Sequence, residues 1–267
     1  MSTDMSGYVV TVTRDRRRAD MLRAELLGPK RYRTLTLDEV TDAGLAFFND
    51  PEGLAYYGMP PSQWYARGIR MLGRTCIEAT PDVTAAPIAR EVATTLAETA
   101  APSPTSQLAS SPPDDKTVGH PVGVIDLFAG SGNLMLHVAR ALDAPARGME
   151  ADEKVHAHTE ANLAILGLEN IEVRHADWQS YFDDPLDVPT SVYVLSPPWG
   201  EAFSFAEGLD LARTSPPVPH IIDIIAARDT ASACYAVIQH TPVEPVRNLP
   251  DVPVAGRSDG CVIVRVR

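Results

Sequence analysis

Cysteine, aromatic residues and long apolar runs are scarce in this sequence. Its 267 residues include 3 cysteines, and Phe, Trp and Tyr make up 6% of the chain. Cys76, Cys234 and Cys261 are odd in number and far apart, so they match neither a disulfide framework nor a metal-binding pattern. No run approaches the roughly 18 apolar residues of a membrane-spanning helix. The amino terminus lacks the charge order of a secretory signal, and we expect a protein of the reducing cytoplasm with no membrane partner.

Positive charge is also scarce, which bears on the class of partner. Lys and Arg number 23 against 35 Asp and Glu, and the formal net charge is −12. Proteins that grip a phosphate backbone usually present a basic face. One basic cluster is present, consisting of Arg14, Arg16, Arg17, Arg18, Lys30, Arg31 and Arg33. A solvated helix face is the simpler explanation of this cluster, so the charge balance disfavours RNA, although a local patch could override it.

Residues 122–150 have the pattern of a nucleotide-binding segment. An apolar strand at 122–128 is followed by a glycine turn at 129–133, a helix and a second strand that ends at Glu150. This order begins a doubly wound sheet, which binds its ligand at the carboxyl ends of the strands. Gly130 and Gly132 allow a ligand to approach the backbone, because glycine lacks a Cβ. The third glycine of a dinucleotide fingerprint is missing, which argues against NAD or FAD.

A second turn follows the strand predicted at residues 191–195 and reads Ser196-Pro197-Pro198-Trp199-Gly200. Together with D-x-F-x-G-x-G at 126–132 and the acid at 150, it resembles the S-adenosylmethionine-dependent methyltransferases that modify amino nitrogens. The L-S-P-P-W-G spelling is most similar to the trimethylguanosine synthase family, the RNA-cap guanine-N2 methyltransferases. Looser matches lie upstream, at Q-W-Y-A-R (63–67) and T-P-D (80–82). The resemblance covers about residues 60–267.

The resemblance implies an α/β fold of the Rossmann-like class I type. Its seven-stranded sheet is mostly parallel, with an antiparallel last strand. The chain is divided into an N-terminal helical cap at 1–100, a flexible Pro/Ser-rich insertion at 101–121 and an S-adenosylmethionine-binding catalytic domain at 122–267. The patterns predict a short strand at 8–13 and helices at 16–27, 37–48, 88–100 and 152–166.

The cofactor, S-adenosylmethionine, is assigned by the resemblance to the first turn and its neighbours. Asp126 would orient the turn or meet the methionine ammonium, and Glu150 would take both ribose hydroxyls. Asp177, after the third strand, would face the adenine amino group with Trp178 beside the ring; alternatively Asp177 only caps a turn. The other cofactor-binding candidates are Phe128, Ala129, Gly130, Gly132, Asn133 and Thr80.

The second turn is predicted to present the methyl acceptor. Because proline removes backbone donors, the Ser196 hydroxyl and the Pro197 carbonyl can accept hydrogen bonds from an amino group. Trp199 offers a flat face on which an acceptor can stack. These three residues are the catalytic candidates; a rigid surface turn is the alternative. Candidates for lining the acceptor pocket are Trp64, Tyr57 and Tyr65, although such aromatics more often pack against a neighbouring domain.

The favoured function is methyl transfer to an amino or heteroaromatic nitrogen of a planar small-molecule acceptor. It combines the motifs with the acidic charge. RNA guanine-N2 methylation is the alternative that the resemblance implies, and C-methylation of an electron-rich ring is a second; a non-enzymatic scaffold is a third. No metal site is expected, because His156 and His158 lie two residues apart and do not share a helix face. The oligomeric state is left open.

Overall fold

Five helices precede the sheet in the computed structural model, which describes residues 12–100, 121–204, 207–240 and 245–267. They are α1 (Val12–Leu27), α2 (Leu37–Phe48), α3 (Pro61–Ala66), α4 (Gly73–Glu78) and α5 (Asp82–Ala100). The three helices predicted here are confirmed, although α5 begins at Asp82 rather than at residue 88. The strand predicted at 8–13 lies mostly outside the described residues, and its last two positions begin α1. The predicted insertion also lies outside them, apart from Pro121.

The rest of the described chain alternates strands with helices. Its elements are β1 (Val122–Asp126), α6 (Asn133–Leu142), β2 (Ala146–Glu150), α7 (Glu153–Leu166), β3 (Ile171–His175), β4 (Thr190–Leu195), β5 (Phe203–Ser204), β6 (Gly208–Asp210), α8 (Val218–Arg228), β7 (Ala233–Gln239), β8 (Val246–Arg247), β9 (Val254–Ser258) and β10 (Cys261–Arg265). Helix α7 has the predicted ends: Asp152 caps its first amides, and Gly167 ends it with a φ of 65°.

Seven of these strands form the main sheet in the order β3-β2-β1-β4-β7-β10-β9. The first four and β7 are parallel, whereas β10 is antiparallel to both of its neighbours. This is the predicted Rossmann-like sheet with an antiparallel last strand. The chain runs outward from β1 to β3 and then returns to the other side of β1 at β4. Ligands of such sheets bind at this reversal of strand order.

Helices cover both faces of the sheet. Successive residues of a strand point to opposite faces, so β1 and β4 contribute side chains to a core on each side. Val124 and Val194 belong to a core with α6 and α7, and Ile125 and Leu195 to a core with α8. The first core also includes residues of the N-terminal helices, among them Trp64. The N-terminal helices therefore share a continuous buried core with the sheet. The division into cap and catalytic domain stays a prediction from the sequence.

A small second sheet was not predicted from the sequence. β5, β6 and β8 pair in the order β5-β6-β8, between the second turn and the segment that leads to β9. Strands of two or three residues are too short to show an alternating pattern. Residues 208–225 contain both β6 and most of α8, whose Ile221, Ile222 and Ile225 are buried. Among the described residues, no helix is both long and apolar enough to cross a membrane.

Candidate active site

Both predicted turns leave the sheet at the same edge. β1 and β4 are parallel neighbours, with Asp126 in register with Val194. Glu150 ends β2, the neighbour of β1 on its other side. Carboxyl ends of parallel strands meet at one edge, so the glycine turn, the acid and the Ser-Pro-Pro-Trp turn converge there. The two turns of the sequence motifs are therefore neighbours in the structure.

The glycine turn is held open by backbone geometry that favours glycine. Gly130 and Gly132 have φ values of 52° and 73°, a region that residues with a Cβ rarely adopt. The Gly130 amide donates to Glu150 Oε2 at 3.0 Å, and Ala129 N donates to Met149 O at 2.9 Å. Thr159 Oγ1 donates to the Gly130 carbonyl at 2.6 Å. Contacts within the protein therefore fix the conformation of the turn.

Two carboxylates lie beside this turn, and burial raises the pKa of both. Asp126 is 3% exposed and accepts a hydrogen bond from Phe128 N at 3.0 Å. Burial raises the pKa of Asp126 to about 7, and the charge of Glu150 adds to the increase. Burial also raises the pKa of Glu150, opposed by hydrogen bonds from the Asp152 and Gly130 amides. No cationic side chain of the described residues pairs with Asp126, which suits a cationic ligand.

Asn133 fastens the turn to the N-terminal segment and is not placed as a cofactor ligand. It is 1% exposed. Its Nδ2 donates to Thr80 O at 2.7 Å and to Asp82 Oδ1 at 3.0 Å. Its Oδ1 accepts from Tyr57 N at 2.7 Å. The predicted cofactor role of Asn133 is corrected, because all of these contacts use its side-chain polar atoms within the protein.

Tyr57 likewise supports the turn from behind rather than lining an acceptor pocket. It is 2% exposed, and its hydroxyl donates to the Ser131 carbonyl at 2.8 Å. Its own backbone has a φ of 61°, an unusual value for a residue with a Cβ. Asp82 completes this clamp by accepting from Gly58 N at 2.8 Å and contacting His137 Nε2 at 2.7 Å. The predicted role of Tyr57 in acceptor binding is corrected accordingly.

The other two aromatic candidates for the acceptor pocket also have structural contacts. Trp64 is 0% exposed, and its Nε1 donates to Leu54 O at 3.3 Å, so neither indole face is available to a ligand. That prediction is wrong. Tyr65 is half-buried, and the Arg70 guanidinium lies over its ring at 3.8 Å from the centroid. One face of Tyr65 is therefore already covered.

The Ser-Pro-Pro-Trp turn has a polar and an aromatic side. Ser196 Oγ donates to Gln239 Oε1 at 2.7 Å. Gln239 ends the neighbouring strand β7 and belongs to no sequence motif. Pro197 is buried and Trp199 is half-buried. The Trp199 ring lies 5.5 Å from the Phe203 ring, tilted by 39°. The small sheet thus supports the predicted stacking face, and Ser215 N also donates to Pro198 O at 3.4 Å.

Thr80 joins the two turns. Its carbonyl accepts from Asn133 of the glycine turn, and its Oγ1 donates to Gln239 Oε1 at 3.0 Å. Gln239 in turn contacts Ser196. Thr80 was predicted to bind the cofactor; its polar atoms connect the glycine turn to the Ser-Pro-Pro-Trp turn.

The predicted adenine contacts lie at the end of β3 and after it. Asp177 accepts from Gln179 N at 3.0 Å and caps the short helix Trp178–Asp183, so the turn-capping alternative is realised. Asp177 is exposed. Trp178 is 9% exposed, with its ring 6.2 Å from that of Phe128. An adenine role for Asp177 and Trp178 remains part of the proposal below.

Three side chains of the basic cluster lie next to acidic side chains. Lys30 Nζ lies 2.6 Å from Glu25 and 2.7 Å from Glu39. Arg33 also pairs with Glu39, and Arg18 lies 3.7 Å from Asp42. Within the described ranges, no group of three or more His, Cys, Asp or Glu residues could hold a metal ion.

Two concavities of the described residues lie away from this edge. One runs along α7 and β3, lined by residues such as Leu163 and Ile171. The other lies among α1, α2 and α4, next to Phe48 and Tyr56. Neither is lined by a predicted site residue. The candidate site is identified by its convergent polar groups, since it is an open edge formed by loops.

Comparisons with known proteins find distant likenesses among solved structures, each covering about half of this chain. No protein-family model and no curated protein matches the chain. A protein of Escherichia coli named as the methyltransferase yhhF is 17% identical, with 54% of this chain and 75% of that chain covered at a TM-score of 0.37. The methylase HI0767 of Haemophilus influenzae is 20% identical, with coverages of 55% and 78% and a TM-score of 0.35.

An RNA methyltransferase of Salinibacter ruber, solved with S-adenosyl-L-homocysteine, is similar to the same extent. It is 15% identical, with 54% of this chain and 78% of that chain covered at a TM-score of 0.33. Likenesses this distant carry no functional argument. None of these comparisons shows the trimethylguanosine synthase family, so function is argued from the site alone.

Proposed function

We propose that this protein is an S-adenosylmethionine-dependent methyltransferase that acts on an amino or heteroaromatic nitrogen of a planar small molecule. The observation that carries the proposal is the convergence of three parts at one edge of the sheet. These are the glycine turn, the buried carboxylates Asp126 and Glu150, and the turn at 196–199. Thr80 and Gln239 connect these parts by hydrogen bonds.

The donor side suits S-adenosylmethionine, which supplies an electrophilic methyl group on a sulfonium when bound. Asp126 would hold the methionine ammonium, because a buried carboxylate without a cationic partner is stabilised by a bound cation. Glu150 would accept both ribose hydroxyls while keeping its backbone contacts to Gly130 and Asp152. Phe128 and Trp178 supply aromatic surface next to the proposed position of the adenine, and Asp177 would meet its amino group.

The acceptor side suits a nitrogen that carries hydrogen. The Ser196 oxygen and the Pro197 carbonyl would accept its N–H bonds and aim its lone pair at the methyl carbon. The nitrogen then forms a bond to carbon as the sulfur–carbon bond breaks, and it loses one proton to water. Positioning of this kind can supply roughly 7–11 kcal/mol of the barrier. The Ser196 oxygen and the Pro197 carbonyl would act only as hydrogen-bond acceptors, which favours a nitrogen that carries hydrogen over a carbon nucleophile.

Charge favours a small acceptor over RNA. Lys30 and Arg33 are paired with Glu25 and Glu39, and the net charge is −12. Phosphate contacts dominate nucleic-acid affinity, and these paired side chains supply little free positive charge. RNA guanine-N2 methylation remains the alternative outcome of the test.

An acceptor screen tests the proposal. The purified protein is incubated with methyl-labelled S-adenosylmethionine and, separately, with metabolite extract and with RNA from the same cells. We expect label in a planar nitrogen compound of the metabolite pool. The variant Trp199→Ala serves as the control and should transfer much less label. Label in RNA only would replace the small-molecule acceptor with the alternative. A protein that binds no S-adenosylmethionine would remove the proposal altogether.

A further inference from the structure

We infer that Gln239 is a positioning residue that makes Ser196 a pure hydrogen-bond acceptor and so restricts the substrate to nitrogens that carry at least one hydrogen. The inference rests on the proposed function, since it names a further property of the same site. Gln239 is half-buried at the end of β7, and no sequence motif pointed to it.

The geometry accounts for both lone pairs of the Gln239 amide oxygen. Oε1 lies 2.7 Å from Ser196 Oγ and 3.0 Å from Thr80 Oγ1. An amide oxygen has two lone pairs and no hydrogen, so each hydroxyl must donate to it. The oxygen is thereby saturated, and the single hydrogen of Ser196 is committed to the protein.

This commitment decides what Ser196 offers to an acceptor. A serine hydroxyl has one hydrogen and two lone pairs, and here only the lone pairs remain. A carbonyl, an ether or a tertiary nitrogen would face these lone pairs without a hydrogen to share. A site built to hydrogen-bond an N–H rejects analogues that lack it, because its polar atoms are then left unpaired. An amino or ring N–H group would be accepted.

Thr80 adds a link to the cofactor side. Thr80 donates to Gln239 through its hydroxyl. Its backbone carbonyl accepts a hydrogen bond from Asn133 Nδ2 at 2.7 Å. Asn133 is the last residue of the glycine turn and the first residue of α6. The orientation of Ser196 is therefore fixed relative to the turn that would hold the methyl donor.

The test compares Gln239→Met, which has similar length but no amide oxygen, with Gln239→Glu, which keeps oxygen acceptors. Full-length protein is labelled with 5-fluorotryptophan, and the Trp199 signal is assigned in the fluorine NMR spectrum with Trp199→Phe. We expect Gln239→Met to shift or broaden the Trp199 signal, because Ser196 loses its partner three residues away. The signal of the core residue Trp64 and the Kd for S-adenosylmethionine should stay within about twofold. Gln239→Glu should restore the wild-type Trp199 signal.

Kinetics supply the second readout, with 2-aminopurine, adenosine, guanosine and 2-aminopyridine as probe amines. For any probe that the wild-type protein methylates, Gln239→Met should lower kcat by about tenfold while the KM for the cofactor is unchanged, and Gln239→Glu should recover most of the rate. A Trp199 signal in Gln239→Met that is identical to wild type would overturn the inference, even if no probe is methylated. Failure of the wild-type protein to bind S-adenosylmethionine would instead overturn the proposed function, so the two failures are distinguishable.

Discussion

Asp126 is the residue whose ionisation the fold changes most clearly at the site. Burial raises its pKa to about 7, the Phe128 amide opposes the shift, and the Glu150 charge adds to it. A cationic ligand favours the ionised form, so binding below that pH must first release a proton. We predict that the Kd for S-adenosylmethionine rises as pH falls below about 7, by up to about tenfold per pH unit. Calorimetry across this range in buffers of different ionisation enthalpy would also detect the released proton.

The same carboxylate should lower the stability of the protein without ligand at high pH. A carboxyl whose pKa is raised on folding holds its proton more tightly in the folded state, so stability falls between about pH 4 and about pH 7. Asp126→Asn removes this dependence. We expect its melting temperature relative to wild type to be higher at about pH 8 than at about pH 4, with weak cofactor binding at both. A difference that does not change with pH would show that Asp126 is not the titrating group.

Trp199 should matter to turnover and not to cofactor binding. Its ring lies beside Phe203, on the proposed acceptor side, and stacking of a planar ring is worth about 1–3 kcal/mol. We predict that Trp199→Ala lowers kcat/KM for the acceptor by about tenfold or more and leaves the Kd for S-adenosylmethionine unchanged. Trp199→Phe keeps a flat face and should retain most of the activity. Loss of cofactor binding in Trp199→Ala would place this ring on the donor side.

At the scale of elements, the segment that precedes α3 and the start of α5 clamp the glycine turn. Tyr57 donates to the Ser131 carbonyl, and Asp82 contacts Asn133 and His137. Burial opposes ionisation of Asp82, but hydrogen bonds from His137 and Asn133 lower its pKa overall. The clamp therefore keeps its charge at neutral pH and fixes the start of α6.

A matched pair of variants tests this clamp. Tyr57→Phe leaves the buried Ser131 carbonyl without a partner, which costs about 1–3 kcal/mol. The neighbouring variant Tyr56→Phe removes an equally buried hydroxyl that donates to Cys76 O at 3.2 Å, away from the turn. We expect both variants to melt at lower temperature, but only Tyr57→Phe to bind S-adenosylmethionine more weakly, by about threefold to tenfold. Equal affinities in the two variants would show that the clamp has no influence on the site.

The elements themselves were predictable where local patterns are strong. Strands β1 and β4 are largely apolar runs, and α7 has a capping residue at Asp152 and a terminating Gly167. The small sheet β5-β6-β8 has strands too short for periodicity to indicate. Motif spacing predicted roles for Glu150 and Ser196; no motif included Gln239, and the loose T-P-D match included Asp82 without giving it a role. Their contacts join residues that are 43 and 51 positions apart in the chain, and no local pattern encodes such pairs.

Aromatic residues of the N-terminal segment show that residue type alone does not predict which side chains line a ligand pocket. Trp64 and Tyr57 have the chemistry of a stacking pocket, yet they are 0% and 2% exposed. Large aromatic side chains dominate the burial of apolar surface, and Trp64 and Tyr57 are buried in the core in this way. Whether such a residue faces a ligand or the core depends on the packing of the whole segment.

At the scale of the whole molecule, the distribution of charge predicts weak salt dependence. Three described basic side chains near α1 and α2, those of Arg18, Lys30 and Arg33, are paired with acids, and the net charge is −12. We predict that methyl transfer to the acceptor found in the screen changes by less than about twofold between about 50 and 200 mM salt. Binding through many phosphates would lose about 10³–10⁵ in affinity over that range. A steep loss would favour RNA as the substrate.

The convergence of the two turns at one sheet edge is tested most directly by calorimetric titration of S-adenosylmethionine into the wild-type protein and Glu150→Ala. Glu150 sits between the glycine turn and α7, and hydrogen bonds to a charged group contribute about 1.5–3 kcal/mol. We predict binding of one molecule per chain to wild type and affinity lower by about tenfold or more in the variant, with circular dichroism confirming that both are folded. A folded wild-type protein that gives no binding, or a variant with unchanged affinity, would contradict the assignment of this edge as the methyl-donor site.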